Sequence, residues 1–416
     1  MFKIIINASE ILQIKNSGIP RMGKEMQNLD ILNNHSIIIK DEKIFDIIPS
    51  QKTDDFIKNN ADIEIIDAEN CVVMPGLCDS HTHLVFAGSR ENEFEMRVMG
   101  KSYMEIMQSG GGIASSVKAT RKISEKDLYN ISLKRLDDFY NYGTTSVEIK
   151  SGYGLDIETE LKQLRVAKKL KSINPEIRTT FMGAHSRPAE FETNNDFIEF
   201  LNKKVLPEVS KEKLADFCDI FCEKGVFTPD EARKHLLEAK KHGLIPKMHA
   251  DELEYSAAAE VAGEIGAISA DHLMKVSDQG LQKMKKGNTI ATLLPATMYN
   301  LASTEYPPAR KIIDEYNVPV ALASDFNPGS CYCENLFLTM HISCQYMKML
   351  PAEVITASTL NGAYAMGLSH LTGSIEKGKL ADLIILNAPN YKYIPYHFGI
   401  NPVRTVVKRG LVLKKR

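Results

Sequence analysis

Two histidines one residue apart, His81 and His83, lie in Pro75-Gly76-Leu77-Cys78-Asp79-Ser80-His81-Thr82-His83-Leu84, and Arg90 follows seven residues after His83. A short apolar run, residues 71–74, leads into them and reads as a buried strand bounded by proline and glycine. Along a strand, residues i and i+2 share a face. Both imidazoles therefore project together from the end of one strand, which suits a pair of metal ligands. Taken alone, His-x-His reads equally well as one packed and one exposed histidine.

The same placement recurs along the chain. His185 follows a strand-like run at 179–184, and His249 ends another at 245–249 with Glu252 three residues on. Asp271-His272 follows residues 267–270, and Asp325 follows residues 320–323 within Ser324-Asp325-Phe326-Asn327-Pro328-Gly329-Ser330. Polar, metal-competent residues after strand upon strand are what a (β/α)8 barrel collects at the C-terminal ends of its strands. A set of three histidines and one aspartate suits zinc or iron better than a thiolate-loving metal. Such an ion lowers the pKa of a coordinated water to about 7, which is hydrolytic chemistry and calls for a nearby base.

Each residue also has a structural reading. A lone histidine such as His185 or His272 is commonly a hydrogen-bonded packing residue. Glu252, between Asp251 and Glu254, could belong to an acidic helix start. Arg90 could clamp a carboxylate with its planar fork or bridge Glu91 and Glu93. Lys150, after Val147-Glu148-Ile149, could be carbamylated and bridge two metals, but reads better as structural. Gly110-Gly111-Gly112 lacks the ending of a phosphate loop and reads as an active-site loop. His35, His235, His242, His341, His370 and His397 lack the strand-end placement and are read as structural.

These residues need elements to position them. From Pro75 on, strand-like runs at 145–149, 179–182, 217–221, 245–249, 267–270, 289–293 and 320–323 alternate with helix-length segments at 159–170, 196–205, 229–242, 254–265 and 308–316. With 71–74 counted first, the runs number eight and predict a closed (β/α)8 barrel, with an open doubly wound sheet as the alternative. Short strands at 2–7, 36–40, 43–48 and 63–66 precede it, and runs at 383–386, 405–408 and 411–413 follow. The termini are expected to meet in one small sheet domain, dividing the chain at 1–74, 75–373 and 374–416.

Composition narrows the partners. Lys and Arg number 51 against 53 Asp and Glu, a net of -2, so nothing favours a nucleic-acid or membrane surface over a small-molecule substrate. The seven cysteines are odd in number and scattered, which fits a reducing, cytoplasmic setting; Cys331-Tyr332-Cys333 reads as loop thiols rather than a thiolate site. The apolar N-terminal run is too short for a signal peptide, and no window approaches the roughly 18 apolar residues of a membrane span.

Together these residues resemble the metal-dependent amidohydrolase superfamily: Pro75 to His83, the His249 and His272 runs, Asp325, and Gly378-Lys379-Leu380-Ala381-Asp382. Longer stretches resemble one branch of it, whose members open an imidazolone ring in histidine degradation. They are His81 to Arg90, Glu93-Phe94-Glu95-Met96-Arg97, Ser109 to Ile113 with Ala119-Thr120-Arg121, Glu148 to Leu155, Gly183-Ala184-His185, His249-Ala250-Asp251-Glu252 and Ser324 to Ser330. The resemblance implies a distorted TIM (β/α)8 barrel with a small β-sandwich domain formed by both termini. It implies one zinc or iron ion per subunit on His81, His83, His249 and Asp325, and a homodimer. Arg90, Tyr153, His185, Glu252, Asn327, Gly329 and Ser330 match substrate-contacting positions, with Tyr103 as an addition. The implied reaction is hydrolysis of the cyclic amide C–N bond of 4-imidazolone-5-propanoate to N-formimidoyl-L-glutamate. Arg90 and Tyr153 would orient the propionate, and Glu252, His272 and Asp325 would share the proton and oxyanion roles. Two alternatives stand beside this: a nucleobase-type deaminase, which would release ammonia, and a barrel without activity serving as a scaffold.

Overall fold

In the computed structural model, which describes residues 1–101, 105 and 110–415, eight parallel strands lie side by side in the order in which the chain makes them. They are β1 (Leu77–Asp79), β2 (Thr144–Lys150), β3 (Arg178–Ala184), β4 (Phe217–Cys222), β5 (Ile245–Ala250), β6 (Ser269–His272), β7 (Ile290–Leu293) and β8 (Val320–Leu322). Parallel neighbours need a crossover, and helices such as Ile157–Ile173 and Pro229–Lys241 supply it. Their starts are fixed locally: Asp156 accepts from the Thr159 amide, and Thr228 and Glu231 form a reciprocal cap. Every residue of β2 is buried, as expected for a strand covered on both faces.

Closure comes just beyond the ends of β1 and β8. Thr82 bridges Phe326 in parallel, the His83 amide donates to the Phe326 carbonyl at 2.8 Å, and the Asp325 amide donates to the His81 carbonyl at 3.1 Å. The segments that close the ring are therefore the ones that carry His81, His83 and Asp325. The result is the distorted (β/α)8 barrel, not the open sheet.

Both termini build two further sheets. One has four strands in the order Lys43–Pro49, His35–Lys40, Phe2–Ile6, Glu64–Asp67. The other has six, in the order Leu411–Lys415, Val403–Lys408, Leu383–Leu386, Val72–Pro75, Ile11–Leu12, Ile31–Leu32. Ile5, Ile37, Ile39, Val73, Leu383 and Ile385 fill the space between them, forming the small β-sandwich. Alternate residues of the same strands, Val72, Met74, Ile384 and Leu386, join the barrel's core instead.

Two expectations are corrected here. Residues 71–74 are not the first barrel strand: Val72–Pro75 pairs with Leu383–Leu386 in the sandwich, and the barrel begins at Leu77–Asp79. The switch between sheets occurs at Gly76, which packs against Thr145 so closely that any Cβ would collide with its side chain. The helix expected at 254–265 starts only at Ala258, because two carboxylates hold the preceding residues as a loop. Glu223 accepts from the amides of Glu252, Leu253 and Glu254, while Asp251 accepts from those of Ser256, Ala258 and Ala259. Among the described residues, no helix is long and apolar enough to cross a membrane.

Candidate active site

At the C-terminal ends of the barrel strands, side chains from β1, β5, β6 and β8 converge beneath a cavity of about 520 Å³. His81 is fully buried, and its Nδ1 lies 2.6 Å from Asp271 Oδ2. A carboxylate only accepts, so Nδ1 carries the proton and Nε2 presents a lone pair; that Nε2 is buried without a hydrogen-bond partner. His249 repeats the arrangement, its Nδ1 lying 3.0 Å from Asp219 Oδ2 while its amide donates to Asp219 Oδ1. His83 stacks on His185 with ring centroids 5.3 Å apart, and its Nδ1 is also buried and unpartnered. Asp325 Oδ1 lies 3.4 Å from His81 Nε2 and 3.7 Å from His83 Nε2, and its Oδ2 accepts from Thr297 Oγ1 at 2.6 Å.

These donors fit a divalent ion. Ligand atoms of His81, His83 and His249 lie within 4.8 Å of one another, as do those of His81, His272 and Asp325. Buried ring nitrogens with no protein partner are costly unless something binds them. Burial, followed by the Lys150 charge, holds His81 well below the usual imidazole range; burial and then His185 do the same for His83. Neutral imidazoles are the form a metal requires. Burial pushes the Asp325 carboxyl up to about 6 against the Thr297 hydrogen bond.

Glu252 sits opposite, with Oε2 3.5 Å from His272 Nε2. Burial, then the negative charges of Asp325 and Glu223, raises its carboxyl well above the usual range. Burial keeps His272 neutral, and both of its ring nitrogens are without hydrogen-bond partners. His272 has φ 77° and Asp325 φ 54°, left-handed conformations at two strand ends. Such backbone costs about 1–3 kcal/mol each and tends to occur where function demands it.

The outer wall carries a cation and a phenol. Arg90 donates from Nη2 to Glu93 Oε2 at 2.7 Å, and Glu93 Oε1 in turn accepts from the Gly112 amide at 2.9 Å. Arg90 Nε is buried and unpartnered. Tyr153 is buried against His83 and His185, with centroids 5.8 and 5.4 Å away, and burial raises its phenol well above the usual range. His185 takes a contact of 3.0 Å between Nδ1 and the Gly152 carbonyl, and burial lowers it to about 4. In the β8 loop, Asn327 Oδ1 accepts from the amides of Gly329 and Ser330 at 2.8 Å, so this amide side chain shapes the loop.

The expected residues thus come together. His83, Arg90, Tyr153, His185, His249, Glu252, His272, Asp325, Asn327, Gly329 and Ser330 all line one cavity, and His81 lies beneath it. Tyr103 lies outside the described residues. Two of the histidines set aside as structural have partners away from the cavity: His235 meets Asn202 and Cys218, and His341 meets the Pro395 carbonyl. Cys331 packs with Ala296 and Ile342, where burial holds its thiol well above the usual range.

Sequence reasoning missed Asp219, Glu223 and Thr297, and gave no role to Asp271. The signal was available for Asp219, a carboxylate in the middle of the apolar run Phe217-Cys218-Asp219-Ile220-Phe221.

The chain is similar to known proteins over nearly its whole length. Imidazolonepropionase from Geobacillus kaustophilus (strain HTA426) is 48% identical over 400 residues, covering 95% of this chain and 94% of that protein. Imidazolonepropionase from Alkaliphilus oremlandii (strain OhILAs) is 45% identical over 414 residues, covering 99% and 98%. Among solved structures, 5-methylcytosine deaminase from Klebsiella pneumoniae superposes with a TM-score of 0.73 at 16% identity, covering 99% of this chain and 98% of that one. Guanine deaminase from E. coli reaches a TM-score of 0.71 at 13% identity, with each chain covered completely (100%). At such identities the structural likeness speaks for the fold alone. The model of the amidohydrolase family matches residues 72–413, the span that holds the whole barrel and every residue of the site, and the chain belongs to that family.

Proposed function

We propose that the chain is an imidazolonepropionase, hydrolysing the cyclic amide C–N bond of 4-imidazolone-5-propanoate to N-formimidoyl-L-glutamate in histidine degradation. One observation carries the reading beyond the family: Arg90, with a buried and unpartnered Nε, and the Tyr153 phenol flank the histidine cluster in a single cavity. That is a seat for a small cyclic amide bearing a carboxylate. The imidazolonepropionases at 45–48% identity along nearly the whole chain support the same substrate.

His81, His83, His249 and Asp325 would hold one zinc or iron ion per subunit. When bound, that ion supplies Lewis acidity and a nucleophilic water at neutral pH. Arg90 and Tyr153 orient the propionate, while His185, Asn327, Gly329 and Ser330 shape the wall against the ring. Glu252, whose burial raises its affinity for a proton, takes the proton from the attacking water as the carboxylate and delivers it to the departing ring nitrogen. His272 donates an N–H to the carbonyl oxygen as it gains charge, and Asp325 shares the proton traffic from the other side. Water adds to the ring carbonyl carbon, the C–N bond breaks, and the new carboxylate and the formimidoyl nitrogen leave together as one product.

The wider reading places a homodimer in the cytoplasm, with no nucleic-acid or membrane partner. It also divides the chain into a barrel at 75–373 and a composite β-domain at 1–74 and 374–416. The test is the loss of 4-imidazolone-5-propanoate ultraviolet absorbance on metal-analysed protein, with ammonia measured in parallel. Loss of the chromophore without ammonia is expected. Ammonia release would shift the assignment to a deaminase, and no turnover by metal-loaded protein would overturn the substrate.

A further inference from the structure

Below the cavity floor, Lys150 is completely buried at the end of β2. Its Nζ lies 2.7 Å from Asp219 Oδ2, 2.8 Å from Glu148 Oε1 and 3.6 Å from Asp271 Oδ2. The oxygens concerned are already engaged. Asp219 Oδ2 is the atom that receives His249 Nδ1, and Asp271 Oδ2 is the atom that receives His81 Nδ1. One ammonium therefore joins two carboxylates on β4 and β6, which grip two histidines on different segments of the ring, after β1 and in β5. The neighbouring buried ammonium, Lys247, is committed elsewhere, to Glu148 Oε2 at 2.5 Å and the Ser80 carbonyl at 2.8 Å.

We propose that Lys150 is a positioning residue for the metal centre, tying Asp219 and Asp271 together so that His249 and His81 present their lone pairs at a fixed separation. This rests on the reading that the histidine cluster holds a divalent ion. It assigns Lys150 a different part from a carbamylated, metal-bridging ligand. An ammonium has three donors; Asp219 and Glu148 take two of them, Asp271 lies within ion-pair range, and these three carboxylates hold the group protonated, leaving no free amine to take up carbon dioxide. The Lys247 charge also acts on Asp271, but Lys150 is the ammonium in ion-pair range of both carboxylates; without it nothing would tie Asp219 to Asp271, and each could turn away with its histidine. Partners of this kind around metal-ligating histidines typically govern affinity by about 10–100-fold.

The test measures metal affinity, independent of turnover. Metal-free protein is titrated with Zn(II) against a chromophoric chelator, for the wild-type chain, for Lys150→Met, and for Lys408→Met. Lys408 is a matched control, a buried ammonium paired with Glu176 and Asp382 at 2.5 and 2.6 Å in the sandwich sheet. Circular dichroism melts of the metal-free proteins report folding. Lys150→Met is expected to weaken zinc binding by about 10–100-fold, while Lys408→Met lowers the melting temperature without changing zinc affinity. Lys150→Gln keeps amide donors but no charge, and serves if methionine prevents folding; about a tenfold loss is expected. Unchanged zinc affinity in the folded Lys150 variants, or an equal loss in Lys408→Met, would overturn the proposal. So would a second, bicarbonate-dependent metal equivalent in the wild-type chain. Failure of the wild-type chain to bind any divalent metal would instead remove the metal reading on which the proposal stands, and the proposal with it.

Discussion

An arginine that already holds one carboxylate can still grip another, and Arg90 has the geometry for it. Glu93 occupies Nη2, while Nε is buried with nothing to bond. A charge-assisted hydrogen bond is worth about 1.5–3 kcal/mol, or roughly 10–150-fold in binding. Arg90→Met is therefore expected to raise KM for 4-imidazolone-5-propanoate by about that factor and to change kcat less. Steady-state kinetics with an imidazolone lacking the propionate should show variant and wild type alike. Gly329→Ala offers a check that removes no charge, since a Cβ there would collide with the Arg90 guanidinium; it should reproduce the KM effect. Glu252→Gln is expected to lower kcat by about 100–10,000-fold with metal content unchanged, and loss of the metal itself would count against its assignment as the base. The polar ends of strands were legible in the sequence because a barrel turns sequence position into place: His81, His83, His249 and Asp325 each follow an apolar run. Asp271 and Asp219 were not, because a carboxylate within a strand announces its burial but not which histidine it meets.

At the scale of elements, the loop that carries Glu252 is built by a residue outside the cavity lining. Glu223 Oε2 accepts from the Glu252 and Leu253 amides at 3.0 and 2.9 Å, and Oε1 accepts from the Glu254 and Lys224 amides at 3.1 and 3.0 Å. Both oxygens face two N–H groups each. A glutamine would turn its own NH2 toward one of those pairs, leaving buried donors unmet at about 1–3 kcal/mol each. Glu223→Gln is thus expected to lower kcat by roughly 10–100-fold while zinc affinity stays at the wild-type level. In a Glu252→Gln background the same change should cost nothing more, because residues that act as a unit are not additive. A full further loss in the double variant would mean that Glu223 acts through something other than this loop. The same loop shows why element boundaries were harder to read than element identity. Residues 254–257 suit a helix by composition, but the carboxylates of Glu223 and Asp251 draw the amides of Glu254 and Ser256 out of one. Residues 71–74 likewise read correctly as a strand but were given to the wrong sheet. Which sheet receives them depends on Gly76 meeting Thr145, a contact between segments that no local pattern contains.

On the scale of the whole molecule, the barrel and the sandwich share strands and also share charge. Val73 packs between the sandwich sheets while Val72 and Met74 reach the barrel's core, so one strand serves both bodies. Below the barrel, Glu176, just before β3, receives Lys408 at 2.5 Å and Arg409 at 3.1 Å from the C-terminal strands, and Arg409 also reaches Glu42 at 2.7 Å. Burial alone would raise the Glu176 carboxyl, but the Arg409 hydrogen bonds and the Lys408 charge outweigh it and hold the group below its ordinary 4.5. A carboxylate depressed in the folded state stabilises the protein above its unfolded pKa, and that contribution is lost as pH falls through the folded value. Removing one partner of a buried pair costs about 3 kcal/mol. Glu176→Gln should therefore be less stable than the wild type by about that amount near neutral pH, with the gap closing as the pH drops below 4.5. Asp382, which burial pushes in the opposite direction, is present in both proteins and largely cancels in the difference. Urea unfolding of the two metal-free proteins across this range measures the gap directly. A gap that stayed constant or widened toward acid would show that the joint between barrel and sandwich does not depend on the Glu176 charge.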